Sequence, residues 1–312
     1  MSYFLTVAAF GLIYAILALG LNLQMGLTGI VNFGYVAFVA IGAYTSALLT
    51  VDQGWPIVPA WAMATLLAAI ASLPLGLLTI RLGGDYFAIV TLGFSELVLL
   101  FILNERALTR GAIGIVGIPK TFAAAGPMLS AELMLATIAA VLGFVLLLLW
   151  RITHSPLGRL LRAIQSNEAA AQALGKNTTH CKVIVLVIGA GVAGLAGALY
   201  AHWVQYISPE QFSPDVTFNT FIALILGGVG SLIGPIVGAC ILIIFLQGTI
   251  LLPDYVSFLS VGQLAALRFM VVGIVLVLLM LFRPDGLLGR GGGGPTRAEF
   301  RAGRRLEAGE ED

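Results

Sequence analysis

The sequence predicts an all-α polytopic membrane protein with about 8–10 transmembrane helices, some of them broken or re-entrant at glycine-rich stretches. Three observations predict it. Hydrophobic residues make up 59% of the 312 positions. Charged residues make up only 10%, against roughly 25% in a soluble domain. No Asp, Glu, Lys, Arg or His occurs between residues 1 and 51. So few charges cannot cover a water-exposed surface, so soluble enzymes, disordered chains and nucleic-acid binders are excluded as classes. A net charge of +1 favours no polyanion partner. Cys181 and Cys240 lie far apart and match no zinc or redox spacing, so no metal site is expected.

A membrane span needs about 20 apolar residues. Such runs occur near 3–23, 30–50, 57–80, 85–104, 131–150, 183–203, 216–228, 235–252 and 264–282. The first is too long for a signal peptide and lacks a basic start. The seventh is short, ends in glycines and reads as a half-span. Together residues 1–289 read as one transmembrane domain, and 290–312 as a charged, Gly-rich tail without fixed structure.

Lys and Arg orient the spans. The stretch 151–182 holds Arg151, Arg159, Arg162, Lys176 and Lys182 against one acid, Glu168. The tail carries Arg283, Arg290, Arg297, Arg301, Arg304 and Arg305. Both are expected on the cytoplasmic side. The stretches 51–57, 202–219 and 251–263 have acids but no Lys or Arg, and are expected outside. Nine spans with an external N-terminus satisfy these assignments. Residues 104–130 also fall outside, against the rule, because they carry Arg106, Arg110 and Lys120.

The stretch 151–182 has the most local detail. Ser155-Pro156 marks a break. Leu157, Leu160, Leu161 and Ile164 recur at helical spacing beside Arg159 and Arg162. Ser166 or Asn167 caps a second short helix, and Glu168 at its start suits the helix dipole. Ala169, Ala170, Ala171 and Ala173 give it a small-residue face, and Gly175 ends it. Two readings stand: a knob on which a partner docks, or an amphipathic connector on the lipid headgroups. No G-x-x-x-x-G-K-[ST] occurs, and neither loop nor tail is long enough for a nucleotide-binding domain.

Two glycine clusters, Gly26, Gly29, Gly34 and Gly42 early and Gly227, Gly228, Gly230, Gly234 and Gly238 late, thin or interrupt spans. Unwound backbone at membrane depth is tolerated where it lines a cavity or is buried in protein, and paired interruptions point to a pathway. Close helix packing is the other reading. It suits Gly191, Gly194 and Gly197 better. Candidate pathway residues are Asn32, Glu96, Gly34, Gly228 and Gly230. Glu96 sits near the middle of its span, where a carboxylate costs roughly 2.5–3.5 kcal/mol by insertion scales. It therefore needs a watery path or a hydrogen bond to a neighbouring helix. Asn22 and Gln24 flank the first break. His202, beside Trp203 and Tyr206, reads as part of an interfacial aromatic belt.

Glu168-Ala169-Ala170 with Gly175 resembles the cytoplasmic coupling loop of ABC-importer permeases. The common spacing is E-A-A-x-x-x-G, and here the glycine comes one residue later. Further stretches are similar to one family, the permeases of branched-chain amino acid importers (LivM type). They are the glycine-rich segment from Gly26 to Tyr44, Gly84-Asp85-Tyr86-Phe87-Ala88-Ile89-Val90-Thr91-Leu92, and the loop from Gly111 to Pro119. Ala193 to Tyr200 reads AGLAGALY, Tyr206 to Phe212 YISPEQF, Gly227 to Pro235 GGVGSLIGP, and Arg283 to Leu287 RPDGL. All are collinear.

The resemblance implies one permease subunit of an ABC importer in the bacterial plasma (inner) membrane, with its C-terminus cytoplasmic. It implies a second permease (LivH type), two ATPase subunits that bind the ATP, and an extracytoplasmic binding protein. No cofactor or catalytic residue is expected on this chain. Leucine, isoleucine and valine are the usual substrates; related systems carry other amino acids, urea or short amides. The resemblance also implies that Arg159, Arg162, Glu168, Ala169, Ala170 and Gly175 belong to the ATPase-coupling loop. An ion-driven transporter would favour two or more central carboxylates, where only Glu96 is central. An intramembrane enzyme would need paired catalytic groups within the spans, which the three histidines do not provide.

Overall fold

The computed structural model describes residues 3–78, 84–122, 126–249, 270–271, 273–274, 277, 281 and 286–288. Twelve α-helices account for most of them: α1 Tyr3–Thr28, α2 Tyr35–Val51, α3 Ile57–Ala71, α4 Leu73–Leu78, α5 Gly84–Asn104, α6 Arg106–Thr109, α7 Pro127–His154, α8 Pro156–Ser166, α9 Glu168–Ala173, α10 Thr178–Val204, α11 Pro214–Gly227 and α12 Gly234–Gly248. Among the described residues, five helical stretches are long and apolar enough to cross a membrane: Tyr3–Thr28, Ile57–Leu78, Gly84–Asn104, Leu129–His154 and Thr178–Val204. Tyr35–Val51 and Gly234–Gly248 are apolar but shorter. The chain is an all-α polytopic membrane protein. The predicted span 264–282 falls largely outside the described residues, and the tail 290–312 wholly so.

Prolines set many of the boundaries. α7, α8, α11 and α12 each carry Pro in the first two positions, where its missing N–H is no loss. The predicted span 57–80 is broken between α3 and α4, because Pro74 lacks the N–H that would continue the ladder. Ser72 closes the break, its hydroxyl donating to the Ala69 carbonyl at 2.7 Å. The second span starts at Tyr35 rather than near residue 30. Residues 29–34 are not helical.

The core is built on α1, α2 and α10. α10 packs on α2 and α3, α1 on α12 and α10, and α11 on α12. α5 leans on α2, and α7 on α1. At the α2–α10 crossing, a Cβ on Gly42 would strike the backbone of Gly194, and one on Gly197 the Val39 carbonyl. Small residues here bring two backbones into contact, which is how helices associate where lipid removes the hydrophobic drive.

α10 spans 27 residues, about 40 Å, so its two ends lie at opposite ends of the bundle. α8 and α9 gather at its N-terminal end. At its C-terminal end, strand β1 (Ile115–Val116) pairs antiparallel with β2 (Tyr206–Ile207). Arg110 meets Asp52 there at 2.6 Å. The stretch 104–130, whose basic residues ran against the orientation rule, therefore joins 51–57 and 202–219 at one end. His202 locks that assembly and is not an interfacial belt residue: it is 2% exposed. One ring nitrogen lies 2.9 Å from Ser46 Oγ and the other 3.0 Å from the Pro119 carbonyl. The carbonyl can only accept, so Nδ1 carries the proton and Nε2 accepts from Ser46.

Candidate functional site

Two constellations stand out, one at the end of the bundle and one inside it. The first is the pair α8–α9. Ser155 leaves α7 in an extended conformation, and its hydroxyl accepts from the Gly158 N–H at 3.3 Å, capping α8. α8 buries Gly158, Leu161 and Ile164 and turns Arg159 and Arg162 outward. Its buried face packs on α1 and α7, and Gln165 lies against Gly29 where the first break begins. Asn167 caps α9 by accepting from the Ala170 N–H at 2.9 Å. Ala169 and Ala170 are exposed and Ala171 is buried. Gly175 follows with φ +74°, a left-handed turn suited to glycine.

Two side-chain contacts tie α9 to α10. Lys182 Nζ donates to Glu168 Oε2 at 2.7 Å, and Gln172 Nε2 donates to Thr178 Oγ1 at 3.0 Å. Glu168 is thus engaged by its own chain. Arg159, Arg162 and Lys176 are exposed on this surface with no ion pair among the described residues. Leu174, 79% exposed, adds an apolar tip beside Gly175.

The second constellation is the first break and its neighbours. The N-terminus of α2 lies beside Thr91, seven residues or about 10 Å into α5. Backbone donors at such depth need partners, and three side chains supply them. The Phe33 N–H donates to Thr91 Oγ1 at 3.1 Å, the Gly34 N–H to Asn32 Oδ1 at 3.1 Å, and the Val36 N–H to Thr217 Oγ1 at 3.0 Å. Asn32 in turn donates from Nδ2 to Gln24 Oε1 at 3.0 Å. Asn32 and Gln24 are both fully buried, and Gln24 Nε2 has no hydrogen-bond partner among the described residues. Gly34 is required by approach: a Cβ there would strike the Thr91 carbonyl.

The second glycine cluster meets the same stretch of α1 from another side. Asn22 Nδ2 donates to the Ser231 carbonyl at 2.6 Å, and its Oδ1 accepts from the Gly230 N–H at 2.8 Å. Gly228 and Gly230 have φ +117° and +80°, values that L side chains rarely adopt. Leu287 and Leu288 close the end of α11, their N–H groups donating to the carbonyls of Leu226 and Gly227. Asn22 and Gln24 are two residues apart on a helix, so they face different sides. Residues 22–26 of α1 therefore join both breaks.

Of the five candidate pathway residues, Asn32, Gly34 and Gly230 gather around this segment, and Gly228 lies two residues from Gly230, against Gly234 and Gly286. Glu96 does not join them. α5 turns Phe87, Ala88, Thr91 and Ser95 toward the protein, while Glu96 sits on its exposed side. Thr91 and Thr217 are contributors the sequence does not single out, and Lys182 stands out there only as one of several basic residues, not as the partner of Glu168. Threonine in an apolar run is the one signal for the first two, and the opposite charge on Glu168 fourteen residues earlier for the third. Among the described residues no group of three or more His, Cys, Asp or Glu could hold a metal ion, and both cysteines are free.

Apolar helices, two of them interrupted around a buried polar centre, and a pair of capped short helices at one end define a polytopic membrane permease. Residues 3–280 match the family model of the permease component of branched-chain amino acid transport systems, and the chain belongs to that family. It is 35% identical to the high-affinity branched-chain amino acid transport system permease protein LivM of Escherichia coli (strain K12), over 90% of this chain and 69% of the relative. A probable LivM of Methanocaldococcus jannaschii is 28% identical over 89% of this chain and 91% of the relative. The permease protein LivH of Escherichia coli (strain K12) is 27% identical, covering 90% and 92%. No solved structure matches the chain.

Proposed function

We propose that the chain is one permease subunit of an ABC importer of the bacterial plasma membrane. It forms part of the translocation path for branched-chain amino acids. An extracytoplasmic binding protein delivers them at the end built from 51–57, 104–122 and 202–213. Separate ATPase subunits drive uptake from the other end, and a second, LivH-type permease completes the path. The transport role and the paired permeases rest on the relatives, which carry those names.

One structural observation supports the reading of the path: two interrupted helical segments meet residues 22–26 of α1 from different sides, beside a buried amide, Gln24 Nε2, that has no hydrogen-bond partner among the described residues. A buried polar group left unsatisfied costs about 1–3 kcal/mol. A centre that carries such a group, on unwound backbone, suits a site where polar cargo passes and helices repack. Asn32, Gly34, Gly228 and Gly230 line or hinge that passage, and Glu96 lies away from it on the exposed side of α5.

At the other end, the ATPase subunits grip the surface of Arg159, Arg162, Ala169, Ala170 and Gly175. Their closure moves α8, which sits against the start of the first break at Gly29. The basic residues of this surface support a cytoplasmic orientation for it.

Affinity purification from cells expressing the chain with its neighbouring transport genes tests the assignment. The expected eluate holds a second permease and an ATPase, and it takes up leucine, isoleucine or valine in vesicles only with binding protein and ATP. A chain that purifies alone and transports alone overturns it.

A further inference from the structure

α5 and α7 are the least enclosed of the long apolar helices among the described residues, each with 28% of its most apolar window buried. The inner face of α5 is already used by α2 and the first break. The outer face presents Tyr86, Ile89, Gly93, Glu96, Leu97 and Leu100. Most of these would be content against lipid. Glu96 would not. It lies twelve residues into a 21-residue helix, about 18 Å from one end, on the exposed side. It has no hydrogen-bond or ion-pair partner among the described residues. A carboxylate at that depth in contact with acyl chains costs roughly 2.5–3.5 kcal/mol by insertion scales. A protein surface with a hydrogen-bond donor removes that penalty. Gly93 lies one turn from Glu96, and a Cβ there would meet nothing within 4 Å. It leaves room for a second backbone to come close.

Which protein covers the face follows from the relatives. The chain aligns over 90% of its length with two different permease proteins of one organism, LivM and LivH, both named for the same transport system. Two chains of one fold that pair do so most simply about a pseudo-twofold axis, each using the same face. A carboxylate-bearing face then meets its counterpart near the axis, where donors from either chain or an ammonium group in the passage can reach it.

We propose that the outer face of α5, centred on Gly93, Glu96 and Leu97, is the seam with the second permease. This rests on the two-permease reading above. Under it Glu96 is satisfied across the seam rather than by lipid, and the α7 face of Phe144 and Leu147, 63% and 57% exposed, is a lipid-facing surface.

Cysteine crosslinking in membranes containing the whole importer tests it. Cys181 and Cys240 are replaced by serine. Single cysteines are then placed at Gly93, Leu97, Phe144 or Leu147, with a scan of cysteines along the corresponding helix of the second permease. Gly93→Cys and Leu97→Cys are expected to give a crosslinked heterodimer, and Phe144→Cys and Leu147→Cys none. Heterodimer formed from the α7 positions alone overturns the proposal. So does an intramolecular crosslink from Gly93→Cys to cysteines in 264–282, which would show that the chain covers its own face. If the second permease is present in the unmodified complex but α5 gives no crosslink, the seam is wrong and the two-permease reading stands. If no second permease is present, both fall.

Discussion

Lys182, near the start of α10, grips Glu168, the first residue of α9, with a 2.7 Å contact between Nζ and Oε2. The same α10 carries Gly189, whose carbonyl accepts the Tyr35 hydroxyl at 3.2 Å where α2 begins. One helix thus links the short surface helix to the edge of the first break. Under the proposed coupling role, a push on α9 would reach the buried centre through this one helix.

Breaking that grip is expected to uncouple the machine without unfolding it. The pair is part-exposed, and such pairs contribute about 0–1 kcal/mol. Glu168→Lys should leave membrane insertion and thermal stability near those of the parent, while ATP hydrolysis continues and uptake falls. Combining it with Lys182→Glu should restore part of the uptake. Vesicle assays of hydrolysis and uptake side by side check this; unchanged uptake in Glu168→Lys would remove the coupling role.

The surface of α8–α9 should fail differently when its shape is changed. Ala170→Trp or Leu174→Asp leaves the Lys182 contact in place but alters exposed positions. The expected result is loss of the ATPase from the purified complex with the second permease retained. Full ATPase recovery in both variants would assign docking elsewhere.

Asn22 joins the second glycine cluster to α1. Asn22→Leu keeps much of the volume but leaves the Ser231 carbonyl and the Gly230 N–H without their partner. Each unsatisfied group costs about 1–3 kcal/mol. A clear drop in melting temperature in detergent is expected. An unchanged melting temperature would mean the two segments hold together without it.

Glycine replacements should separate by contact rather than by burial alone. Gly34→Ala drives a methyl into the Thr91 carbonyl, and Gly197→Ala one into the Val39 carbonyl. Backbone cannot yield, so both should lower the yield of monodisperse protein. Gly93→Ala meets nothing and gains about 0.5–1 kcal/mol of helix propensity in the isolated chain. Size-exclusion profiles and melting curves of the three compare these outcomes directly.

Asp52 and Arg110 touch at 2.6 Å with both side chains well exposed. Asp52→Asn is expected to change stability by less than about 1 kcal/mol, because β1–β2 pairing and His202 hold the same end together. A large loss would mean the pair organises that end.

The sequence made the helices legible because their signals are local. Long apolar runs mark α1, α5, α7 and α10, prolines stand at the starts of α7, α8, α11 and α12, and Ser155, Asn167 and Gly175 mark the ends of α8 and α9. What the sequence hid is tertiary. Nothing local says that Asn22 reaches Gly230, 208 positions away, or that Thr91 and Thr217 satisfy the start of α2. Glu96 was conspicuous by its charge, but its direction depends on which side of α5 the break occupies. His202 misled because a histidine next to Trp203 looks interfacial; its partners, Ser46 and Pro119, are far away in the sequence. The pairing of β1 with β2 sets the basic residues Arg106, Arg110 and Lys120 at the same end as 51–57 and 202–213, where they still run against the orientation rule.

Under the proposed function the chain is a conduit whose energy arrives from other subunits through α8 and α9. Reconstitution in vesicles tests this most directly, with radiolabelled leucine inside and outside followed over time. Concentrative uptake is expected only when the second permease, the ATPase subunits, the binding protein and ATP are all present, and none when Glu168 is replaced by Lys. Concentrative uptake by this chain alone, without a nucleotide-hydrolysing partner, would contradict it.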